Sequence, residues 1–470
     1  MIGTRSREIH DASRAYAAER KRVTWTEPWE GRAGVFLGLT LLFASGIWLF
    51  EPDRLSLQTA TINWTDVRQT IDGFGGSSAD FLSSLTPAQA DFFFTPAGIG
   101  LSILRTQIIP DLATCDAEFR KGGCSQSNGQ ILRGELETAK LAVARGAIVF
   151  ATPWSPPGAY KSNGSFKNGG SLLPSHYSDW AKDIATYVTM MATNGVPLYA
   201  VSVQNEPDLS RNYGSCQYTA RQIHDFVPYL DTALHSAGAA ATKIMIAEQS
   251  SWSLDLSSAA MADPNVASQI GILAAHGYAG RIQPYRTGSA RLWQTEDSSQ
   301  SPVYDGSMAD GLSWAVKIHN YLDVANVNAW LWWFLTDMPN QGEGTDNAAL
   351  TDIKGHFPKR AYITGQWSKF VRPGWSRIEV GYHFGPSLIT AFKAPHDQSF
   401  AIVVVNSSTH GIAQTFRLEG FSSRSVTPWT TSEKFSLQVQ DSIAVNGERF
   451  TYTLPPYSVT TFSSTATKLR

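Results

Sequence analysis

Eight short apolar runs recur through the middle of this chain, and helical segments sit between most of them. They are Ile71 to Ser77, Leu101 to Ile109, Ala147 to Ser155, Leu198 to Glu206, Lys243 to Ser250, Ile272 to Tyr278, Arg291 to Glu296 and Asn328 to Thr336. Runs that stay apolar without alternating suit strands buried on both faces, as in parallel sheets. Parallel neighbours need a crossover connection, usually a helix. The chain supplies such helices. Over Ser175 to Asn194, Trp180, Ile184, Tyr187, Val188 and Met191 share one face, and Met308, Leu312, Ala315, His319 and Leu322 do the same further on. Eight strands alternating with helices argue for an α/β fold, a closed parallel (β/α)8 TIM barrel. An open doubly wound sheet is the rival. Phe74-Gly75-Gly76, after the first strand, lacks the glycine spacing of a dinucleotide loop.

The barrel is expected over residues 72–372, with other material at both ends. Residues 1–32 are charged. Residues 33–50 (AGVFLGLTLLFASGIWLF) carry no charge and follow Arg20, Lys21, Arg22 and Arg32, the pattern of a signal peptide or a short membrane anchor. Ala44-Ser45-Gly46 offers a cleavage site, so a secreted or periplasmic protein is expected, or one tethered by an uncleaved segment. Ala60 to Ile71 alternates like a strand but has no barrel role, so residues 57–71 are expected to join a side domain. After Pro373 the helical pattern stops. Leu388 to Ala394, Phe400 to Asn406, Ala413 to Leu418, Phe435 to Val439 and Phe450 to Leu454 read as strands, and Asn446-Gly447 as a hairpin turn. Residues 373–470 therefore read as an antiparallel β-sandwich side domain.

The 38 basic and 40 acidic residues nearly cancel, which gives no electrostatic case for nucleic acid. Three cysteines are too few for a disulfide scaffold. Cys115 and Cys124 share one polar loop and are expected to bridge after export, leaving Cys216 as a thiol. No spacing resembles a zinc site, and neither a metal nor a cofactor is expected.

Two strand ends carry the chemistry. In Leu198 to Asp208 (LYAVSVQNEPD) a buried run opens at Glu206, and Pro207 cannot continue the ladder. In Arg291 to Ser298 (RLWQTEDS) the run ends at Glu296. In a barrel both ends share the rim where active sites are built. Two carboxyl groups about 5 to 5.5 Å apart suit glycosidic cleavage with retention. Glu206 has neutral Asn205 beside it and no adjacent Lys or Arg, which suits the acid/base. Glu296 is then the nucleophile. Tyr278 is placed to donate to Glu296, His276 ends the neighbouring strand, and Arg105 is placed to keep a carboxylate ionised. Asp297 is an equally plausible acid by position. Trp293 precedes the nucleophile, and Trp154, Trp332 and Trp333 stand at other strand ends, where aromatic faces suit sugar rings. Singly, each of these residues has an ordinary structural explanation. Their convergence on one rim does not.

These residues resemble glycoside hydrolase family 30, retaining β-glycosidases with a (β/α)8 barrel and a β-sandwich side domain. The matching stretches are ATPWSPPGAYKSNG (Ala151 to Gly164), SVQNEPD (Ser202 to Asp208), HGY (His276 to Tyr278), WQTE (Trp293 to Glu296), LWWF (Leu331 to Phe334), SKFVRPGWSRI (Ser368 to Ile378) and LPPYSVTTF (Leu454 to Phe462). The resemblance places the acid/base on Glu206, the nucleophile on Glu296 and a substrate-contacting Trp on Trp154. The SKFVRPG and PPYSVTTF stretches are similar to those of bacterial xylan-cleaving members. Members that require a glucuronate branch hold it with tyrosines after the nucleophile and an arginine after the last strand. Here Asp297-Ser298-Ser299 and Leu335-Thr336-Asp337 stand in those places. The expectation is an endo-β-1,4-xylanase without a strict glucuronate requirement. A β-1,6-galactanase, a glucosylceramidase-like β-glucosidase and a non-catalytic carbohydrate-binding protein are the alternatives.

Overall fold

The first strand, β1 (Thr59–Thr70), stands apart from the ring that follows it. The ring consists of β2 (Gly73–Ser77), β3 (Ile103–Ile108), β4 (Ile148–Pro153), β5 (Leu198–Ser202), β6 (Lys243–Gln249), β7 (Ile270–His276), β8 (Arg291–Glu296) and β9 (Ala329–Thr336). Each pairs in parallel with the next, and β9 closes the ring by pairing with both β8 and β2. All eight apolar runs are strands of this barrel. A short strand, β10 (Ala349–Thr351), extends the end of β9. This computed structural model describes residues 59–109, 127–336, 347–352, 356–381 and 385–468.

Helices α1 (Pro87–Phe94), α2 (Ser127–Val143), α3 (Tyr177–Thr193), α4 (Ala220–Ser236), α5 (Met308–Asp323) and α6 (Lys359–Ser368) surround the ring. The apolar faces read for α3 and α5 are buried throughout, including His319. Thr219 and Gln222 close a reciprocal capping box at the start of α4, as Thr86 and Gln89 do for α1. Between β6 and β7 only the short helices Ser258–Ala262 and Pro264–Ala267 fill the outer layer.

The barrel interior is packed by Ile103, Phe150, Ala200, Met245, Ile272, Ala274, Trp293, Ala329 and Leu331. This corrects the expectation for Trp293. Its side chain is fully buried, stacks on Tyr199 and donates from Nε1 to Asp72 Oδ2 at 2.8 Å. Asp72 precedes the first barrel strand, so Trp293 fills the end of the barrel opposite the rim. Trp332 is corrected too. Along β9, Ala329, Leu331 and Trp333 face inward while Trp330 and Trp332 pack on Trp314 of the helix layer. The period of two along a strand decides this. Trp332 Nε1 donates to the Ala348 carbonyl at 2.7 Å.

The second domain is built on one curled sheet, beside a small ribbon in which Phe421–Ser422 pairs with Thr467–Lys468. The sheet runs from Ser425–Thr431 through Ser458–Thr465 to β13 (Ser399–Asn406), β12 (Leu388–Lys393), β11 (Ser376–Val380), β1, β14 (Ile412–Glu419) and Arg449–Leu454. Its concave side encloses Ile62, Ile378, Ile402, Phe416, Phe450 and Phe462. Its other face lays Phe392, Val403, Val405 and Val459 onto the barrel's own core. The sheet is not wholly antiparallel, because β1 runs parallel to β14. Asn446 and Arg449 exchange two backbone bonds around Gly447 at φ +63°, as a tight turn requires. The strands on either side then part. Ile443–Ala444 pairs with Ser425–Val426, and Arg449–Leu454 with β14. Phe435 to Val439 shrinks to Gln438–Val439, and three strands without a clear sequence signal appear at Ser376–Val380, Ser425–Thr431 and Ser458–Thr465.

The segments 1–32 and 33–50 and the pair Cys115 and Cys124 lie outside the described residues. Among the described residues, no helix is long and apolar enough to cross a membrane. Cys216 is a buried thiol whose pKa burial pushes up to about 12.

Candidate active site

Glu206 does not end β5 but lies beyond it, because the strand stops at Ser202. The following residues are pinned by backbone contacts. Asn205 N donates to the Pro153 carbonyl at 2.9 Å, and Glu206 N donates to the Glu248 carbonyl at 3.1 Å. Gln204 Nε2 reaches the Trp154 carbonyl at 2.7 Å. Glu206 itself holds φ at +42°, a conformation rare for a side chain with a Cβ.

Two bulges aim the other carboxylates. Between β7 and β8 the register passes from Ala275↔Gln294 to His276↔Glu296, so Thr295 is an extra residue. Simple alternation from Trp293 would turn Glu296 away from the interior. The bulge turns it inward, a recurrent use of bulges beside active sites. Between β6 and β7 the register passes from Ala247↔Ala274 to Gln249↔Ala275, which makes Glu248 the extra residue. Ala247 and Glu248 adopt φ of +73° and +46°. Such backbone costs about 1–3 kcal/mol per residue and persists where surrounding contacts over-determine it.

Asp297 is excluded from the cleft. Its carboxylate sits behind Gly277, where a Cβ would lie 2.0 Å from Oδ2, and it pairs with Lys317 at 2.5 Å. Burial raises its pKa, partly offset by that lysine.

Around Glu296 the expected partners assemble. Tyr278 Oη donates to Oε1 at 2.7 Å, and Arg105 Nη1 donates to Oε2. Arg105 Nη2 reaches Asn205 Oδ1 at 2.7 Å and Glu248 Oε1 at 2.9 Å. The rings of Trp154 and Trp333 flank the guanidinium, 4.9 and 5.4 Å from it. His276 lies between the acids, with Nδ1 3.3 Å from Glu206 Oε1 and Nε2 3.7 Å from Glu296 Oε2. Burial works against a charge on His276, but Glu296, Glu206 and Glu248 outweigh it and push its pKa up to about 9. Burial also opposes a charge on Glu248, and Arg105 and His276 outweigh it to hold its pKa below the usual carboxylate range.

One oxygen of Glu206, one of Glu296 and a ring nitrogen of His276 lie within 4.8 Å of one another. That trio has the donor set of a cation site. Arg105 already supplies positive charge to Glu296, which disfavours a metal beside it. What the geometry presents is two buried carboxyl groups facing each other at the barrel rim, one of them clamped by two donors.

The sequence reading missed Glu248 and the Thr152 hydroxyl that bonds its Oε2 at 3.1 Å. A signal was present. Glu248 lies near the end of the apolar run Lys243 to Ser250, as Glu296 lies at the end of its own.

Residues 135–297 match the glycosyl hydrolase family 30 TIM-barrel domain. The glucuronoxylanase XynC of Bacillus subtilis (strain 168) is 31% identical over 429 residues, which cover 87% of this chain and 92% of that enzyme. The chain belongs to glycoside hydrolase family 30. Family 30 membership makes it a glycosidase with a polysaccharide or glycoside as substrate. A solved family 30 structure, the subfamily 8 xylanase Xyn30A from Clostridium acetobutylicum, superposes with a TM-score of 0.75 at 31% identity and covers 87% of this chain and 100% of its own. The lysosomal acid glucosylceramidase of Mus musculus is also similar, 24% identical over 400 residues that cover 74% of this chain and 77% of that enzyme.

Proposed function

We propose that this family 30 enzyme is a retaining endo-β-1,4-xylanase that cleaves undecorated as well as glucuronate-bearing chains. The observation that carries the mechanism is the approach of Glu206 and Glu296 oxygens to within 4.8 Å. So close an approach of one oxygen from each favours retention over an inverting pair, which holds a water between carboxyls about 6.5–9.5 Å apart. Glu296, held by Arg105 and Tyr278, attacks the anomeric carbon while Glu206 gives its proton to the departing oxygen. Water then attacks the glycosyl-enzyme, its proton passes to Glu206, and Glu296 leaves as a carboxylate. Asn205 spends Oδ1 on Arg105, which leaves its NH₂ end for a sugar hydroxyl. Trp154 and Trp333 supply the aromatic wall.

Xylan as substrate is supported by the XynC and Xyn30A likenesses. Tolerance of bare chains is supported by Asp297, which occupies the position after the nucleophile and is turned onto Lys317 instead of the cleft. A polymer acts outside the membrane barrier, so the apolar segment 33–50 serves as an export signal or anchor. Incubation with glucuronoxylan, linear xylan, β-1,6-galactan and an aryl β-glucoside tests the reading. Internal cuts in both xylans and a first-formed β-anomer by NMR are expected. A first-formed α-anomer ends the retaining mechanism. Activity confined to the aryl glucoside favours the glucosylceramidase-like alternative, which the mouse relative keeps in view.

A further inference from the structure

Glu248 takes no part in the bond changes above, yet it sits at the centre of the polar cluster with no exposed surface. Oε1 is 2.9 Å from Arg105 Nη2 and 3.8 Å from His276 Nε2. Oε2 accepts from Thr152 at 3.1 Å, and its carbonyl accepts the Glu206 N–H at 3.1 Å. Burying a carboxylate is costly, and replacing a buried ion pair by apolar residues of similar volume is often neutral or stabilising. The carboxylate also stands on a bulge with unfavourable backbone. A purely structural site has little use for either feature.

We propose that Glu248 is a positioning residue for the reaction: it locks the Arg105 fork onto Glu296 and keeps a carboxylate facing His276, beside Glu206, through both chemical steps. The inference rests on Glu206 and Glu296 acting as proposed above. Arg105 divides its fork, Nη1 to Glu296 and Nη2 to Glu248 and Asn205. Without the Glu248 contact, rotation of the guanidinium would carry Nη1 off the nucleophile.

Charge makes the second half of the argument. The groups facing His276 are Glu206, Glu248, Glu296, Arg105 and Tyr278, with the Asp297–Lys317 pair behind. Before reaction, ionised Glu248 and Glu296 balance Arg105 and His276, and Glu206 carries its proton. In the glycosyl-enzyme Glu296 is neutral and Glu206 is ionised. The buried cluster stays neutral in both states only if Glu248 is charged. Removing that charge leaves one cation uncompensated in each state, which drives both His276 and Glu206 to lose protons more readily.

Glu248→Gln keeps size and an acceptor while removing the charge. It is expected to lower kcat about 10- to 100-fold on an aryl β-xyloside, because small misplacements of reacting groups cost that much. KM should stay within about 3-fold, since uniform binding is untouched. The alkaline limb of the pH–rate profile should move to lower pH. Thr152→Val, which removes a hydroxyl from Glu248 and from Arg105 Nε but keeps the charge, should lower kcat without moving that limb. If Glu248→Gln does not fold by near-UV circular dichroism, Thr152→Val carries the test, and an unchanged kcat there overturns the proposal. So does a Glu248→Gln enzyme whose kcat and alkaline limb match the wild type, or one whose loss lies only in KM. Glu206→Ala and Glu296→Gln are run in parallel. If they stay active, the underlying reading fails. If they are inactive while Glu248→Gln is unaffected, only this inference falls.

Discussion

In the proposed mechanism two glutamates of the same kind take different roles because their neighbours differ. Glu296 has the Arg105 guanidinium and the Tyr278 hydroxyl on its two oxygens, whereas Glu206 meets His276 and backbone. Glu296→Gln should therefore lower kcat by orders of magnitude on every substrate. Glu206→Ala should spare the first step on substrates with good leaving groups, trap the glycosyl-enzyme, and recover turnover with azide as a β-glycosyl azide. A product with α configuration would indicate single inversion. His276 adds a pH dependence to stability. Its folded pKa is raised from 6.5 to about 9, so its contribution is fully present below about 6.5 and lost as pH rises through 9. Denaturant titrations across that window should show stability falling with pH, and His276→Phe should flatten the slope. The residue types and their strand ends made Glu206, Glu296, Tyr278 and Arg105 legible. Glu248 and Asp297 were not separable by sequence, because a bulge and a lysine from a distant helix decide which carboxylate faces the cleft.

At the scale of elements, the strands were legible because burial on both faces writes a continuous apolar run. Their inward and outward residues were legible only where no bulge intervenes. Trp332 still alternates with Leu331 and Trp333, although the pairing with β2 shifts register across Leu331 to Phe334, and it faces the helix layer, so neighbouring tryptophans in LWWF have unrelated jobs. Trp293 sits inside the barrel, but too far from the rim to meet a sugar. The turn after β7 depends on close approach. Gly277 leaves just enough room for the Asp297 carboxylate, and any Cβ there would overlap Oδ2. Gly277→Ala should displace Asp297 and, through it, the adjacent Glu296. A fall in both the melting temperature and kcat is expected, with overpacking of this kind costing about 1–3 kcal/mol. Paired measurement of thermal unfolding and turnover checks it. An active variant of normal stability would show that the loop relaxes without moving Glu296.

The whole molecule is tied together by a strand from before the barrel and a sheet from after it. β1 pairs with β11 on one side and β14 on the other, so the chain on both sides of the barrel meets in one sheet. The alternation of β1 was readable in sequence, but its parallel partner was not, since that pairing spans about three-quarters of the chain and leaves no local pattern. β13 shows why the two parts belong to one stability unit. Phe400, Ile402 and Val404 point into the curled sheet, while Ala401, Val403 and Val405 point into the core shared with the barrel. Polar contacts cross the same seam. Trp367 Nε1 donates to Thr390 Oγ1 at 3.0 Å, and Gln366 Nε2 donates to Thr431 Oγ1 at 2.8 Å. Cutting the chain at Pro373 would expose the apolar flank of α5 and α6 rather than release an independent barrel. Val403→Asp places an unpaired charge in that seam, a change that costs several kcal/mol when nothing compensates it. The expected result is a lower melting temperature for the entire protein, with activity and near-UV circular dichroism lost in one transition. Two separated transitions, with activity surviving the first, would show that the sheet melts alone and that the barrel carries its own stability.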